Sequence, residues 1–253
     1  MDSNEFDTVF RNKEFDYVDF GCSKGGSLQF GNHVLGGTIG IGVDIDARKV
    51  EQTREAGFSA VLGDVTQLNT VPDCTRFVTM IDFLEHLPGI ELAEKCIAAA
   101  CEAATDFVFI RQPWFDSDGY LSANNLKLYW SDWTGHPNAM TTLELYRVLK
   151  KMPKARQWRI YARTRIKDSS DPAVHPISSP CDQHDYDEYL HGPKAKLRFK
   201  QTVFYQTGAI ILLKDDPDLL SDIEKRAKFT QVLHDSAGLP QSKKSLLSRR
   251  FGT

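Results

Sequence analysis

The chain has 253 residues, 41% of them hydrophobic and 26% charged. That length suits one large domain or two small ones, and the composition excludes a disordered or low-complexity chain. Its 31 basic and 34 acidic residues leave a net charge of −3, which argues against a nucleic-acid partner held through a basic surface.

Short apolar runs alternate with helical stretches. Tyr17 to Phe20 reads as a first strand, ending in the glycine turn Gly21 to Gly26, and a helix through Leu28 and Phe30 is stopped by Gly36-Gly37. Thr38 to Asp44 reads as a second strand, Ala47 to Ala56 as a helix, and Phe58 to Leu62 as a third strand entering Gly63-Asp64. Arg76 to Ile81 is a fourth strand, Glu91 to Ala103 a strong helix, and Phe107 to Ile110 a fifth strand. Nearly continuous apolar strands alternating with helices predict a parallel sheet covered on both faces.

Beyond it the pattern loosens. Pro113 to Pro137 has no clean period and holds three of the four tryptophans. Thr141-x-x-Glu144 predicts a capping box that opens a helix. Trp158 to Thr164 and Thr202 to Leu213 read as two more strands, separated by a polar insertion from Asp168 to Lys200. Asp216-Pro217 starts a last helix, and the basic tail from Ser242 is expected to be loose. With no repeat and no long linker, we expect one domain over 1–253, with insertions at about 113–140 and 168–200 shaping one side.

The five cysteines (Cys22, Cys74, Cys96, Cys101, Cys181) are scattered and contain no C-x-x-C pair, which fits a reducing compartment. The segment before the first strand is polar, so no secretory leader is expected, and no apolar run reaches the roughly 18 residues of a membrane span. A soluble, cytoplasmic protein is the expectation.

In a parallel sheet, ligands bind outside the carboxyl ends of the strands, where the strand order switches. Four such ends carry suitable residues. Gly21 to Gly26 allow positive φ and close backbone approach ahead of a helix N-terminus. Asp44 ends strand two, placed to accept from two ribose hydroxyls. Gly63-Asp64-Val65 offers a carboxylate beside an apolar side chain, suited to an aminopurine. Asp82-Phe83-Leu84-Glu85-His86-Leu87 follows strand four. Singly, each reads equally well as a tight turn or a helix cap; the order and spacing of all four carry the argument.

These segments resemble the class I S-adenosylmethionine-dependent methyltransferases, from Tyr17 to about Met152. Asp19 to Gly26 looks like that family's first motif, Gly42-Val43-Asp44-Ile45-Asp46 its second and Gly63-Asp64-Val65 its third. Asp82 to Leu87 resembles the fourth-strand signature of a small-molecule branch. The resemblance implies an α/β, doubly wound, seven-stranded and mostly parallel sheet, with an antiparallel last strand (Thr202 to Leu213) and helices on both faces. It implies S-adenosylmethionine as cofactor, with Gly21, Ser23 and Gly25 at the methionine end and Asp19 bracing the loop. Asp44 and Ile45 would serve the ribose, Asp64 and Val65 the adenine, and Asp82 the strand-four rim. Ser23 departs from the usual middle glycine.

Methyl transfer to a small-molecule O, N or C nucleophile is therefore expected, with His86 and His136 as candidate bases and the aromatics Trp114, Phe115, Tyr120, Tyr129, Trp130 and Trp133 reading equally as acceptor-pocket faces or as a lid core or dimer interface. Alternatives are a non-catalytic S-adenosylmethionine-binding scaffold and a methyltransferase acting on protein or RNA. A nicotinamide enzyme is disfavoured because Gly21-x-Ser23-x-x-Gly26 lacks the central glycine and Asp19 precedes it. The Cys181-x-x-His184 spacing permits a metal, yet no second pair completes a set, so no metal is expected and the segment reads as a solvated acidic loop. Oligomeric state is left open.

Overall fold

The computed structural model describes residues 8–238. Its centre is an eight-stranded sheet. Strands β1 (Tyr17–Phe20), β2 (Gly40–Asp44), β3 (Ser59–Leu62), β4 (Thr75–Ile81) and β5 (Ala104–Pro113) run parallel in the spatial order β3-β2-β1-β4-β5. The long strands β7 (Gln157–Asp168) and β9 (Arg198–Leu212) extend it, with β9 antiparallel to both β5 and β7. A short β10 (Gln231–Asp235) pairs antiparallel with β7 at the edge.

The expected antiparallel strand is thus β9, inserted between β5 and β7. The sheet has eight strands where seven were expected. The eighth escapes sequence reading because Gln231 to Asp235 is half polar and at most half-buried, so it shows no alternation. The tail expected beyond Ser242 lies outside the described residues.

Neighbouring residues of one strand feed opposite cores. Val18 and Phe20 of β1, Val78 and Met80 of β4 and Val108 and Ile110 of β5 pack with α3 (Ile90–Ala103) and α5 (Thr142–Leu149). Tyr17, Phe77, Phe107 and Phe109 point the other way, against α1 (Gly26–His33), α2 (Ala47–Glu55) and α7 (Pro217–Ala227). On that face Tyr17 and Phe77 stack at 4.7 Å, as do Phe77 and Phe107. Period-two side-chain alternation with apolar residues on both faces places helices on both sides.

Helix starts follow local chemistry. Thr141 and Glu144 form the reciprocal capping box at α5, and Asp216 caps α7 with Pro217 in its first turn.

β7 and β9 run on past the central core and carry an added layer. There Trp114, Phe115, Leu121, Leu126, Leu128 and Trp130 form a third cluster with Ile166, Val174, Val203 and Phe204. The two expected insertions meet in this layer: β6 (Leu126–Leu128) from the first pairs antiparallel with β8 (Val174–Pro176) from the second. Each insertion alone is too short to bury its apolar residues; together they make a core.

Candidate functional site

The chain leaves β1 toward β2 and β3 on one side, then returns to β4 and β5 on the other, so the strand order reverses between β1 and β4. A cavity of about 440 Å³ lies across the carboxyl ends of these strands. Gly21, Ser23, Asp44, Ile45, Asp64, Val65, Asp82 and His86 line it, all of them residues singled out in the sequence. The spacing of the four motifs works because each follows a parallel strand, and parallel strands end at one rim.

The first turn is held from three sides. Gly21 donates its N–H to the Val43 carbonyl at 2.8 Å, Ser23 donates its N–H to Asp44 Oδ2 at 3.3 Å, and Thr53 of α2 donates to the Ser23 carbonyl at 2.9 Å. Gly21 sits at φ +74, where a Cβ would lie 2.3 Å from the Phe83 ring, so only glycine fits. Ser23 also adopts positive φ, at 49, which is why this place suits glycine and why serine is strained there.

Asp19 and Gly25 lie beneath the turn and do not line the cavity. Asp19 is fully buried and accepts from Ser27 in the first turn of α1 and from Thr79 Oγ1 on β4 at 2.6 Å. Burial pushes its carboxyl up to about 7, against these two hydrogen bonds, which pull it down. Gly25 is the residue before α1, at φ +86.

The two wall carboxylates also serve structure. Asp44 accepts the Asp46 N–H on Oδ1 at 3.0 Å, and Asp64 Oδ1 caps the short helical turn Val65–Thr70 by accepting from Thr66 N and Oγ1. Both the cap reading and the cavity-wall reading of Asp64 hold at once. At the end of β4, Asp82 takes positive φ, 51, and accepts from Arg111 of β5 at 3.1 Å. A non-glycine residue in that region, at a cavity wall, is held by its surroundings.

His86 follows in the turn Leu84–His86 and faces the cavity. His136 does not line the cavity but stands directly behind it, its ring 4.9 Å from that of His86. Asn138 brings them together: it donates its N–H to the Glu85 carbonyl at 3.2 Å and its Nδ2 to the Leu84 carbonyl at 2.9 Å. Gln112, at the end of β5, donates to the Met140 carbonyl at 2.6 Å and fixes the other end of that loop. His86 Nδ1 donates to the Gly135 carbonyl at 2.6 Å and His136 Nδ1 to the Trp130 carbonyl at 3.0 Å. A carbonyl only accepts, so Nδ1 carries the proton in both rings and Nε2 holds the free lone pair. Burial pulls the His136 pKa down.

Sequence reading missed Glu85. It is 1% exposed, its Oε2 has no hydrogen-bond partner, and burial, reinforced by Asp82, pushes its pKa up to about 8. The only sequence signal is a charged residue between Leu84 and Leu87. The cavity also takes Phe83 from the strand-four motif, and Lys49, Leu92 and Cys96, which carry no motif.

The aromatic segment divides. Trp114, Phe115 and Trp130 are buried in the added core and offer no open face, the core alternative of the two readings for this run, and Tyr120 packs on Phe199. Trp133 packs against His136 and His184, at 6.0 and 4.7 Å between ring centroids, and Tyr129 packs beside it. The segment with Cys181 and His184 is mostly exposed, and Cys181 Sγ lies 3.5 Å from Asp132 Oδ2. Among the described residues no metal-ligating trio gathers there. No helix among them is long and apolar enough to cross a membrane.

No protein-family model and no curated protein matches the sequence. Solved structures do match the fold. An S-adenosylmethionine-dependent methyltransferase from Archaeoglobus fulgidus aligns with a TM-score of 0.52 at 18% identity, over 83% of this chain and 93% of that one. The YcgJ protein of Bacillus subtilis aligns with a TM-score of 0.51 at 14% identity, over 84% and 99%. With its strand order, its antiparallel β9 and its cavity at the switch point, the chain has the class I S-adenosylmethionine-dependent methyltransferase fold.

Proposed function

We propose that this protein binds S-adenosylmethionine across the tips of β1 to β4 and transfers its methyl group to an O or N nucleophile of a small molecule. The carrying observation is the cavity itself: a backbone cradle at Gly21 and Ser23 faces the Asp44 carboxylate, and the far wall opens on His86. The residues fit the cofactor. A Cβ at Gly21 would fill the cradle, Asp44 at the end of β2 suits two ribose hydroxyls, and Asp64 with Val65 offers a polar edge beside an apolar wall.

When bound, the cofactor supplies a methyl group on a cationic sulfur, which an acceptor lone pair takes in line as the C–S bond pair returns to sulfur. The protein's share is positioning and water exclusion, and positioning alone accounts for about 7–11 kcal/mol of barrier in well-oriented reactions. His86 faces the acceptor end and can receive the acceptor's proton on Nε2, with His136 packed behind it, which would raise the rate roughly 10²–10⁴-fold for an acceptor of high pKa. The whole chain would act as one domain, the layer built from 113–140 and 168–200 covering the acceptor.

Two measurements test this. Calorimetry should show S-adenosylmethionine and S-adenosylhomocysteine binding one to one, with Asp44→Ala much weaker; no binding by the folded protein defeats the reading. With a true acceptor found by labelled-methyl transfer into small-molecule extracts, His86→Ala should lose turnover. Label appearing only in protein or RNA fractions would move the reading to a macromolecular acceptor, and binding without transfer to any fraction would favour a scaffold.

A further inference from the structure

We infer that Glu85, His86 and His136 form a binding site for a divalent transition-metal cation at the acceptor end of the cavity. One carboxylate oxygen of Glu85 and one ring nitrogen from each histidine lie within 4.8 Å of one another. Ligand bonds of about 2.0–2.2 Å put ligand atoms roughly 3.0–3.5 Å apart, so each side chain closes by about an ångström to take the ion.

Three independent features point to a cation. First, Glu85 is 1% exposed with Oε2 unpartnered, and among the described residues no lysine or arginine pairs with it; Arg111, the nearby cation, is taken by Asp82. A carboxylate so placed is costly unless it takes up a proton or a positive charge meets it. Second, both rings are tied through Nδ1 to backbone carbonyls, of Gly135 and Trp130, which fixes the tautomer that ligates through Nε2. Such outer hydrogen bonds accompany metal-bound histidines almost without exception. Third, the paired hydrogen bonds of Asn138 to the Glu85 and Leu84 carbonyls hold the two remote segments of the trio side by side before any ion arrives.

Two imidazoles with one carboxylate favour Zn²⁺, Co²⁺ or Fe²⁺ over Mg²⁺ and Ca²⁺, which prefer oxygen ligands alone. Three protein ligands leave positions open, and His86 faces the cavity. Resting on the methyl-transfer reading, those positions would take an oxygen of the acceptor: the cation acidifies the bound hydroxyl, whose proton leaves to solvent, in place of proton transfer to an imidazole.

The test begins with protein freed of metal by chelation. Titration with Co²⁺, followed by its visible absorption bands, and with Zn²⁺, followed by calorimetry, should show one-to-one binding, with Mg²⁺ at least 100-fold weaker. Glu85→Gln and His136→Ala should each weaken Co²⁺ binding by 10-fold or more, while Cys181→Ser leaves it unchanged. S-adenosylhomocysteine binding by each variant reports an intact fold; should Glu85→Gln fail to fold, the half-buried His136 gives the answer alone. Absence of stoichiometric Co²⁺ and Zn²⁺ binding, or variants that bind as the parent does, would overturn the site. So would loss of binding in Cys181→Ser. Metal binding without S-adenosylhomocysteine binding would keep this site and defeat the proposed function; the reverse would do the opposite.

Discussion

The side of the cavity under β1 to β3, where the proposed function puts the donor, and the side beyond β4, where it puts the acceptor, are built differently. On the donor side Asp19, Asp44 and Asp64 each accept hydrogen bonds from the protein itself. Among the described residues, the buried polar atoms left unmatched all fall after β4 in the chain: Glu85 Oε2 next to His86, and, away from the cavity lining, Arg111 Nε, Gln112 Oε1, both ring nitrogens of His175, Ser179 Oγ and His191 Nε2. Buried polar groups are ordinarily paired, and unpaired ones ask for an explanation.

The sharpest way to break this contrast is to damage one half alone. Trp130→Ala removes a buried indole that donates to the Trp114 carbonyl at 2.8 Å, and should destabilise the added layer by about 3–5 kcal/mol. If the donor half is self-sufficient, S-adenosylhomocysteine affinity in the folded variant stays within about 3-fold; a parallel loss of affinity in calorimetry would show that the halves are one unit. Next in size, Asp44→Ala removes hydrogen bonds to a charged group, each about 1.5–3 kcal/mol, so affinity should fall by ~100-fold.

Acidification should act on His175 and on Asp19 with opposite signs. Burial holds His175 down at about 4, below its unfolded value near 6.5. As pH falls from about 6.5 to 4, the unfolded chain takes a proton that the folded one refuses, so stability drops. Asp19 is raised to about 7, so over the same interval the folded state keeps a proton that the unfolded one releases above about 4, and stability rises as pH falls. His175→Phe should therefore gain about 2–3 kcal/mol over the parent between pH 7 and 4.5 in urea unfolding. A constant difference across that range would show that His175 finds a proton acceptor. The smallest effect is expected at Ser23→Gly, which relieves positive φ but frees the unfolded chain, for a net change within about 1 kcal/mol and little change in affinity. A large loss of affinity would mean that the serine hydroxyl itself touches the ligand.

Which parts were legible follows the same division. The donor side rests on a local code: a strand, a turn needing glycine, a carboxylate at the strand end, repeated in chain order. Each step is set by neighbours in sequence, so Gly21, Asp44 and Asp64 could be assigned roles before any fold was known. Beyond β4 the sequence offered His86 and His136 singly, as candidate bases; that Asn138 reaches back across the sheet end to set them beside Glu85 is encoded in no local pattern. The aromatic run stayed open between two readings for a related reason. Composition shows that Trp114, Phe115 and Trp130 want burial, but not that β6 and β8 pair to provide it.

Periodicity, glycine placement and capping residues by themselves determined the order of elements, their alternation and the rim on which the first three motifs converge, because these are short-range consequences of backbone sterics and hydrogen bonding. Tertiary structure alone decided the eighth strand, the joining of two insertions into one core, and which side chains meet at the acceptor end. Those outcomes depend on contacts between distant segments, whose closure no local pattern encodes.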